Sequence, residues 1–384
     1  MFKTLYLIAL LSSLLWSKII PASERPNLYL PILKGKRVAL VVNHSSIVQK
    51  NIHLVDFLLQ NGIEIKKIFA PEHGFRGGAD AGHRIKNSID TRTKLPIISL
   101  YGKKRQPTKE DLKDIDIILF DIQDVGVRFY TYLSTLHYIL EAGAKYKIEV
   151  MLLDRPNPNG GYIDGEVLDR RYSSFIGLDP VPIVYGMTIG EYAKMLNGEG
   201  WIGKRRANLR VIPIKNYKHS SRYTLPVKPS PNLPTDRAVA LYPSLALFEG
   251  TVFSAGRGTN KPFELYGDPK YQNKSFSFIP KSRAGAKNPK YKNRVCYGVD
   301  LSKKSLKRIR AEGRINLSYL IDAYNRYPNR SHFFLKNRFI DKLSGSSRLR
   351  RDIKNGLSEA KIRESWQVGL KKFKKIRKKY LIYK

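Results

Sequence analysis

The chain has 384 residues, room for about two domains, and 42% of them are hydrophobic, enough for a packed core. Lys and Arg number 70 against 32 Asp and Glu, a formal charge of +38. Such a field attracts nucleic acid, anionic lipid or acidic cell-wall polymer and says nothing about fold. The single cysteine, Cys296, excludes an intrachain disulfide, a cysteine-built metal site and a lipid anchor on an N-terminal cysteine.

Residues 1–22 read as a signal peptide. Lys3 supplies the positive start, Leu5 to Trp16 is apolar, and Ile20-Pro21-Ala22 offers a cleavage site before Ser23. The expectation is a periplasmic or secreted protein. The apolar run is short for a transmembrane helix, an uncleaved anchor being the alternative, and no later stretch is long enough to span a membrane.

Arg37 to Asn43 (RVALVVN) is the first predicted strand, ending in Asn43-His44-Ser45-Ser46. Ile52, Val55, Leu58 and Leu59 follow at helical spacing, stopped by Asn61-Gly62. Further strands are predicted at Ile63–Phe69, Leu95–Leu100, Ile115–Asp121 and Ile148–Asp154. A helix is predicted over Tyr132–Ala142. Capping-box patterns at Thr108–Asp111 and Thr188–Glu191 start two more. This alternation argues a mostly parallel α/β sheet, Rossmann-like in the broad sense. No G-x-G-x-x-G follows the first strand and there is no P-loop, so no nucleotide cofactor is expected.

The second half is less regular. Val227–Thr235 (VKPSPNLPT) reads as a linker or a rigid loop, and Lys270–Arg294 as looped. Tyr319–Tyr324 looks helical. Trp366, Leu370, Phe373, Ile376 and Tyr380 form one apolar helix face, which reads as core. Lys281–Arg310 holds eleven basic residues and one acid, and Lys371–Lys384 eight basic residues and none. The basic tail reads as a solvated face, with an anionic-surface anchor as the alternative.

The polar residues gather at predicted strand ends, the edge where open parallel sheets bind ligands. After the second strand come Glu72, His73, Arg76 and Asp80 in the glycine-rich IFAPEHGFRGGADAG. Tyr101 follows the third strand. Asp121, Gln123 and Asp124 follow the fourth, leading to Arg128, Phe129, Tyr130 and Tyr132. Asp154 and Arg155 follow the fifth. Converging carboxylates beside aromatic rings and arginine suit general acid–base chemistry on a sugar. The plainer alternative is that the Asp residues cap turns and the tyrosines are core. His44, His73, His83 and Asp80 are the residues a metal site would draw on, but no HExxH or paired ligand spacing is present, and no metal is expected. A Ser–His–Asp triad has no G-x-S-x-G elbow to sit on.

In these blocks the chain resembles the NamZ-type exo-β-N-acetylmuramidases. The blocks are APEHGFRG with DAG (Ala70 to Gly82), LPIISLYGK, ILFDIQDVGVRFYTYLSTL, LLDRPNPNGG, YGMTIGEYAKMLN, PSPNLPT, LYPSLALFEGTVFSAGRGTNKPFE and the terminal SWQ. They run in family order over nearly the whole chain after residue 22. The resemblance implies a Rossmann-like catalytic domain (28–225) and a smaller α+β C-terminal auxiliary domain (236–384), with the site in the cleft between them. It implies release of N-acetylmuramic acid from the non-reducing ends of peptidoglycan fragments, without a nucleotide cofactor. Glu72 would be the catalytic acid. The partner group would be Asp124, Asp121, Glu249 or the substrate's own acetamido group. Arg76, Arg128 and Arg257 are the candidates for the lactyl carboxylate, and His73, Asp80, Gln123, Tyr130 and Asn232 are further binding candidates. His83 stands where the resemblance leads one to expect Glu. A muropeptide- or sugar-binding protein without catalysis is the rival reading. Nucleic-acid binding has no reader motif to support it. The expected partners are muramyl sugars and, through the basic charge, an anionic envelope surface.

Overall fold

A computed structural model describes residues 18–49, 51–76 and 87–383. The predicted core of the signal peptide, Lys50, and the loop containing Asp80 and His83 lie outside the described residues.

The first domain is built on seven strands. They are β1 (Val38–Val42), β2 (Ile65–Ala70), β3 (Ser88–Ile89), β4 (Pro96–Ser99), β5 (Ile117–Asp121), β6 (Glu149–Leu153) and β7 (Leu209–Ile212). Their order is β3-β4-β2-β1-β5-β6-β7, and all neighbours are parallel except the β3–β4 pair. The chain winds one way from β1 through β2 to β4, then restarts beside β1 at β5 and winds the other way, the doubly wound arrangement.

Side-chain alternation assigns the two faces. Ala39, Val41, Ile118, Phe120, Val150 and Leu152 point into the larger core, shared with α2 (Tyr132–Tyr146), α3 (Ile189–Glu199) and the second domain. Val38, Leu40, Val42, Ile117, Leu119 and Met151 point to the other face, covered by α1 (Leu54–Gln60). Both faces are dry, hence the unbroken apolar runs in these strands. Thr188 caps α3 in a full capping box with Glu191.

Two elements escape the sequence patterns. β7 is only four residues long and partly exposed. The helix α4 (Asp236–Leu245), capped by the Thr235 side chain, carries Pro243 inside its last turn, where a proline reads as a helix breaker. The C-terminal domain continues with an antiparallel sheet of β8 (Leu265–Asp268), β9 (Ser277–Phe278) and β10 (Cys296–Asp300), with β10 in the middle. Five helices complete it: α5 (Leu306–Glu312), α6 (Ser318–Asn325), α7 (Phe339–Ser344), α8 (Arg348–Lys354) and α9 (Glu359–Lys378). In α9, Ile362, Trp366, Leu370 and Phe373 are buried while Lys371, Lys372, Lys374 and Lys375 are exposed. The apolar stripe is core, as its spacing predicts.

Both ends of the described chain return to the first domain, and both meet Asp154. Ile20 pairs with Lys215, and the Ala22 amide donates to the Asp154 carbonyl at 3.0 Å. The Tyr383 hydroxyl donates to Asp154 Oδ2 at 2.6 Å, and the Ile382 and Tyr383 amides donate to Glu191 Oε1 at 2.8 and 3.1 Å. Ile20 and Ala22, read from the sequence as the end of the signal, are thus part of the fold, and Ala22 is fully buried. Among the described residues no helix is long and apolar enough to cross a membrane.

Candidate active site

β2 ends at Ala70 and the chain turns at once. The Gly74 amide closes the turn on the Pro71 carbonyl at 3.0 Å, with His73 at φ +67° and Gly74 at φ +76°. A left-handed histidine is uncommon, and such residues persist where surrounding contacts hold them. The turn delivers Glu72 and His73 to a cavity of about 720 Å³ at the carboxyl edge of the sheet.

Two other strand ends close on Glu72. Thr131, just before α2 on the loop that follows β5, donates its hydroxyl to Glu72 Oε2 at 2.5 Å. Tyr101, after β4, hydrogen-bonds the same carboxylate; burial and then the Glu72 charge push its phenol well above the ordinary range. Phe129 and Tyr130 from the same loop and Tyr132 at the start of α2 line the cavity. Tyr130 OH donates to the Pro229 carbonyl at 2.7 Å and fastens this wall to the interdomain segment.

The C-terminal domain supplies the facing wall. Arg257 Nε donates to Glu249 Oε1 at 2.6 Å, and its guanidinium lies 4.9 Å from the centre of the Phe263 ring. Burial works against the Arg257 charge, but the Glu249 carboxylate outweighs it and holds the pKa above its ordinary value. Lys290 Nζ donates to the carbonyls of Thr251 and Phe253 at 2.6 and 2.9 Å. Burial brings its pKa down to about 8 in spite of Glu249 and Asp268 nearby. Asn232 also lines the cavity and spends its side-chain amide on the Gly285 carbonyl at 2.8 Å. On the rim, Arg105 lies 4.8 Å over the Phe175 ring, which packs edge-on against Tyr101.

Of the residues proposed from sequence, Glu72, His73, Tyr130, Asn232, Glu249 and Arg257 meet in this cavity. Five do not line it. Asp124, expected as a catalytic partner, is buried in the core, where Oδ2 accepts from the Tyr185 hydroxyl and from the Gly126 amide. Desolvation raises its pKa to about 6. Asp121 is fully buried and forked by Arg155, at 2.5 Å from Nε and 2.7 Å from Nη2. Gln123 donates to the backbone carbonyls of Asp124 and Pro156. Arg128 is buried and donates to the carbonyls of Glu166, Val181 and Leu343, which binds the two domains together. Arg76 pairs with Asp90 at 2.9 Å and stacks on Phe75. Strand-end position brought these five to the correct edge. Asp121, Gln123, Asp124 and Arg128 turn into the protein, where backbone groups and buried side chains satisfy them, as buried polar groups require, while Arg76 is exposed and spends its guanidinium on Asp90. Asp80 lies outside the described residues.

Thr131, Arg105, Phe175 and Lys290 were not singled out from sequence. Arg105 and Phe175 are 70 positions apart, and only folding brings them to one rim. Lys290 stands in a basic run that reads as surface.

A doubly wound sheet whose carboxyl edge meets a second domain over a cavity of acid, aromatic and cationic side chains defines a two-domain α/β protein with a polar, aromatic-lined ligand cleft. The comparisons narrow that class. The N-terminal model of the exo-β-N-acetylmuramidase NamZ family matches residues 38–237, and its C-terminal model matches residues 240–383. The chain belongs to this family. It is 42% identical over 368 residues to the peptidoglycan β-N-acetylmuramidase NamZ of Bacillus subtilis (strain 168), covering 91% of this chain and 88% of that protein. Two crystal structures of DUF1343 family proteins from Bacteroides fragilis NCTC 9343 share the fold. One has a TM-score of 0.89 at 46% identity, covering 96% of this chain and 99% of its own; the other has 0.79 at 30%, covering 95% and 99%.

Proposed function

We propose that this protein is an exo-acting glycoside hydrolase that releases N-acetylmuramic acid from the non-reducing ends of peptidoglycan fragments. The observation that carries the reading is the setting of Glu72. Among the described residues it is the one carboxylate of the sheet edge that lines the cavity, held by Thr131 and Tyr101 and faced by Arg257 and Lys290.

Glu72 acts as general acid, giving its proton to the glycosidic oxygen as the bond to the anomeric carbon breaks. Thr131 and Tyr101 orient its carboxyl group. The positive charge that develops on the sugar ring is met by Glu249, which lines the same cavity, or by the sugar's acetamido oxygen; water then attacks the anomeric carbon and gives a proton to the Glu72 carboxylate, which restores the acid. The lactyl carboxylate pairs with Arg257, whose second edge is left by a single Nε bond to Glu249, with Arg105 on the rim as the alternative. Tyr130, Tyr242 and Phe263 supply apolar faces for the ring.

The basic, apolar N-terminus supports export to the cell envelope, with any cleavage falling upstream of Ile20. The exposed lysines of α9 and the charge of +38 support retention at an anionic envelope surface.

The test is hydrolysis of a chromogenic β-N-acetylmuramide, with the β-N-acetylglucosaminide as control. Turnover of the muramide alone supports the reading. A folded wild-type protein that turns over neither, yet binds muropeptides, would be a binding protein instead.

A further inference from the structure

A second cavity, about 250 Å³, lies where the loop after β6 meets the segment 219–222 and the turn that follows α5. It shares no lining residue with the first. Arg222, Arg310, Arg314 and His219 line it, together with the hydroxyls of Ser220 and Ser221, and no Asp or Glu does.

The charges here are poorly matched from within. Arg310 Nη2 reaches the Tyr223 carbonyl at 3.4 Å and Asp236 at 3.3 Å, both long contacts, and its Nε is buried with no hydrogen-bond partner among the described residues. Arg222 and Arg314 are exposed and have no ion pair or hydrogen bond among the described residues. His219 is the exception, meeting Glu191 Oε2 at 2.8 Å. Other part-buried arginines have close carboxylate partners: Arg350 forks Asp341 and Arg363 holds Asp164. An acid-free pocket lined by three guanidiniums, one with a buried unused donor, matches a tetrahedral oxyanion, because the planar guanidinium fork fits paired oxygens. The volume falls below the roughly 300–1,000 Å³ of small-molecule sites, so it admits a phosphoryl group and its nearest substituents and not a disaccharide.

We propose that this pocket is a second binding site, for a phosphate ester, and that a ligand there bridges Arg222 before the interdomain linker to Arg310 and Arg314 of the C-terminal domain. The shared chemistry is the phosphoryl oxyanion, carried by a small phosphomonoester or by the phosphodiester of an anionic polymer.

Calorimetric titration of the full chain with inorganic phosphate, glycerol 3-phosphate and poly(glycerol phosphate), with chloride setting a constant ionic strength, tests this. Arg222→Ala/Arg314→Ala is the site variant. Lys109→Ala/Lys113→Ala removes the same charge from exposed positions of the first domain and is the control. Saturable phosphate binding by the wild type, weakened about tenfold or more in the site variant and unchanged in the control, is the expected result. Muramide hydrolysis should be the same in all three proteins, so the outcome is independent of the proposed catalytic role. A matching loss of poly(glycerol phosphate) affinity in the site variant assigns the polymer as the source. Polymer affinity unchanged beside lost phosphate and glycerol 3-phosphate binding assigns the small ester. No saturable binding by the wild type, or equal weakening in site variant and control, overturns the proposal.

Discussion

Thr131 gives its hydroxyl to Glu72 and not to its own helix. It occupies the N-cap position of α2, where a threonine ordinarily caps with its side chain, yet it makes no side-chain cap there. The helix forgoes about 1 kcal/mol of capping, and the hydroxyl holds a carboxylate across the domain instead. Thr131→Ala is therefore expected to leave the melting temperature nearly unchanged and to lower kcat, because the acid loses its orientation. Glu72→Gln keeps the shape and removes the proton; a loss of about 10²–10⁴ in kcat is expected, with muropeptide affinity retained in calorimetry. A Glu72→Gln variant with normal turnover would exclude the acid role.

Asp124 offers the opposite case. Its partners are Tyr185 and a backbone amide in the core, so its contribution is to packing. Asp124→Asn is expected to lower stability by about 1–3 kcal/mol, read by denaturant titration, with kcat of the folded fraction close to wild type. For the wild type the sign follows from the raised pKa of about 6. The carboxyl binds its proton more tightly when folded, so its contribution is complete below the ordinary carboxylate pKa and is lost as pH rises through 6. The Asn variant should lose that pH dependence.

Arg257 should decide between sugars with and without the lactyl group. Truncation to Met keeps apolar contact with Phe263 and removes the charge. A charge-assisted hydrogen bond contributes about 1.5–3 kcal/mol, so kcat/KM for a muramide should fall by roughly ten- to a hundredfold. Activity on a glucosaminide, however small, should not fall with it. Equal losses on both substrates would place the lactyl group elsewhere, with Arg105→Met the next variant to measure.

Lys290 puts a titration into the cavity wall. With its pKa brought to about 8 by burial, its charge is lost over a range where other lysines keep theirs. The muramide kcat/KM should carry a basic limb near pH 8, and Lys290→Arg should move that limb upward. Stability runs the other way. The unfolded lysine binds its proton more tightly than the folded one, so this group's contribution grows as pH rises from about 8 toward the ordinary lysine value.

The N-terminus gives a prediction read by mass spectrometry. Cleavage before Ser23, as the sequence pattern proposes, would remove the Ile20–Lys215 pair and the buried Ala22. A mature chain beginning upstream of Ile20 is expected. A chain produced from Ser23 should melt lower than one produced from Lys18.

The sheet was legible because both of its faces are dry. Strands such as Ile117–Asp121 print as apolar runs in any reading, and Thr188 with Glu191 announces α3. β7 was not legible, since four half-exposed residues carry no pattern, and α4 hid behind Pro243. For the site, the break after Ala70 marked Glu72 and His73 as candidates, and the family resemblance supplied the role of Glu72. Asp121, Asp124 and Arg128 lie off the cavity for one reason. A strand end says which edge of the sheet a side chain occupies, but the choice between cavity and core is made by partners distant in sequence, such as Arg155 for Asp121 and Tyr185 for Asp124. Lys290 and Arg105 show the converse: nothing local distinguishes them from the many other basic residues.

The anchoring of Tyr383 on Asp154 and of residues 382 and 383 on Glu191 sets an order of events during synthesis. Asp154 and Glu191 leave the ribosome some 190 residues or more before these partners do. Until then a buried carboxylate at the tip of β6 and the first turn of α3 are left incomplete. A nascent chain therefore carries an unfinished first domain for some 190 residues of synthesis, until residues 382 and 383 arrive to close it.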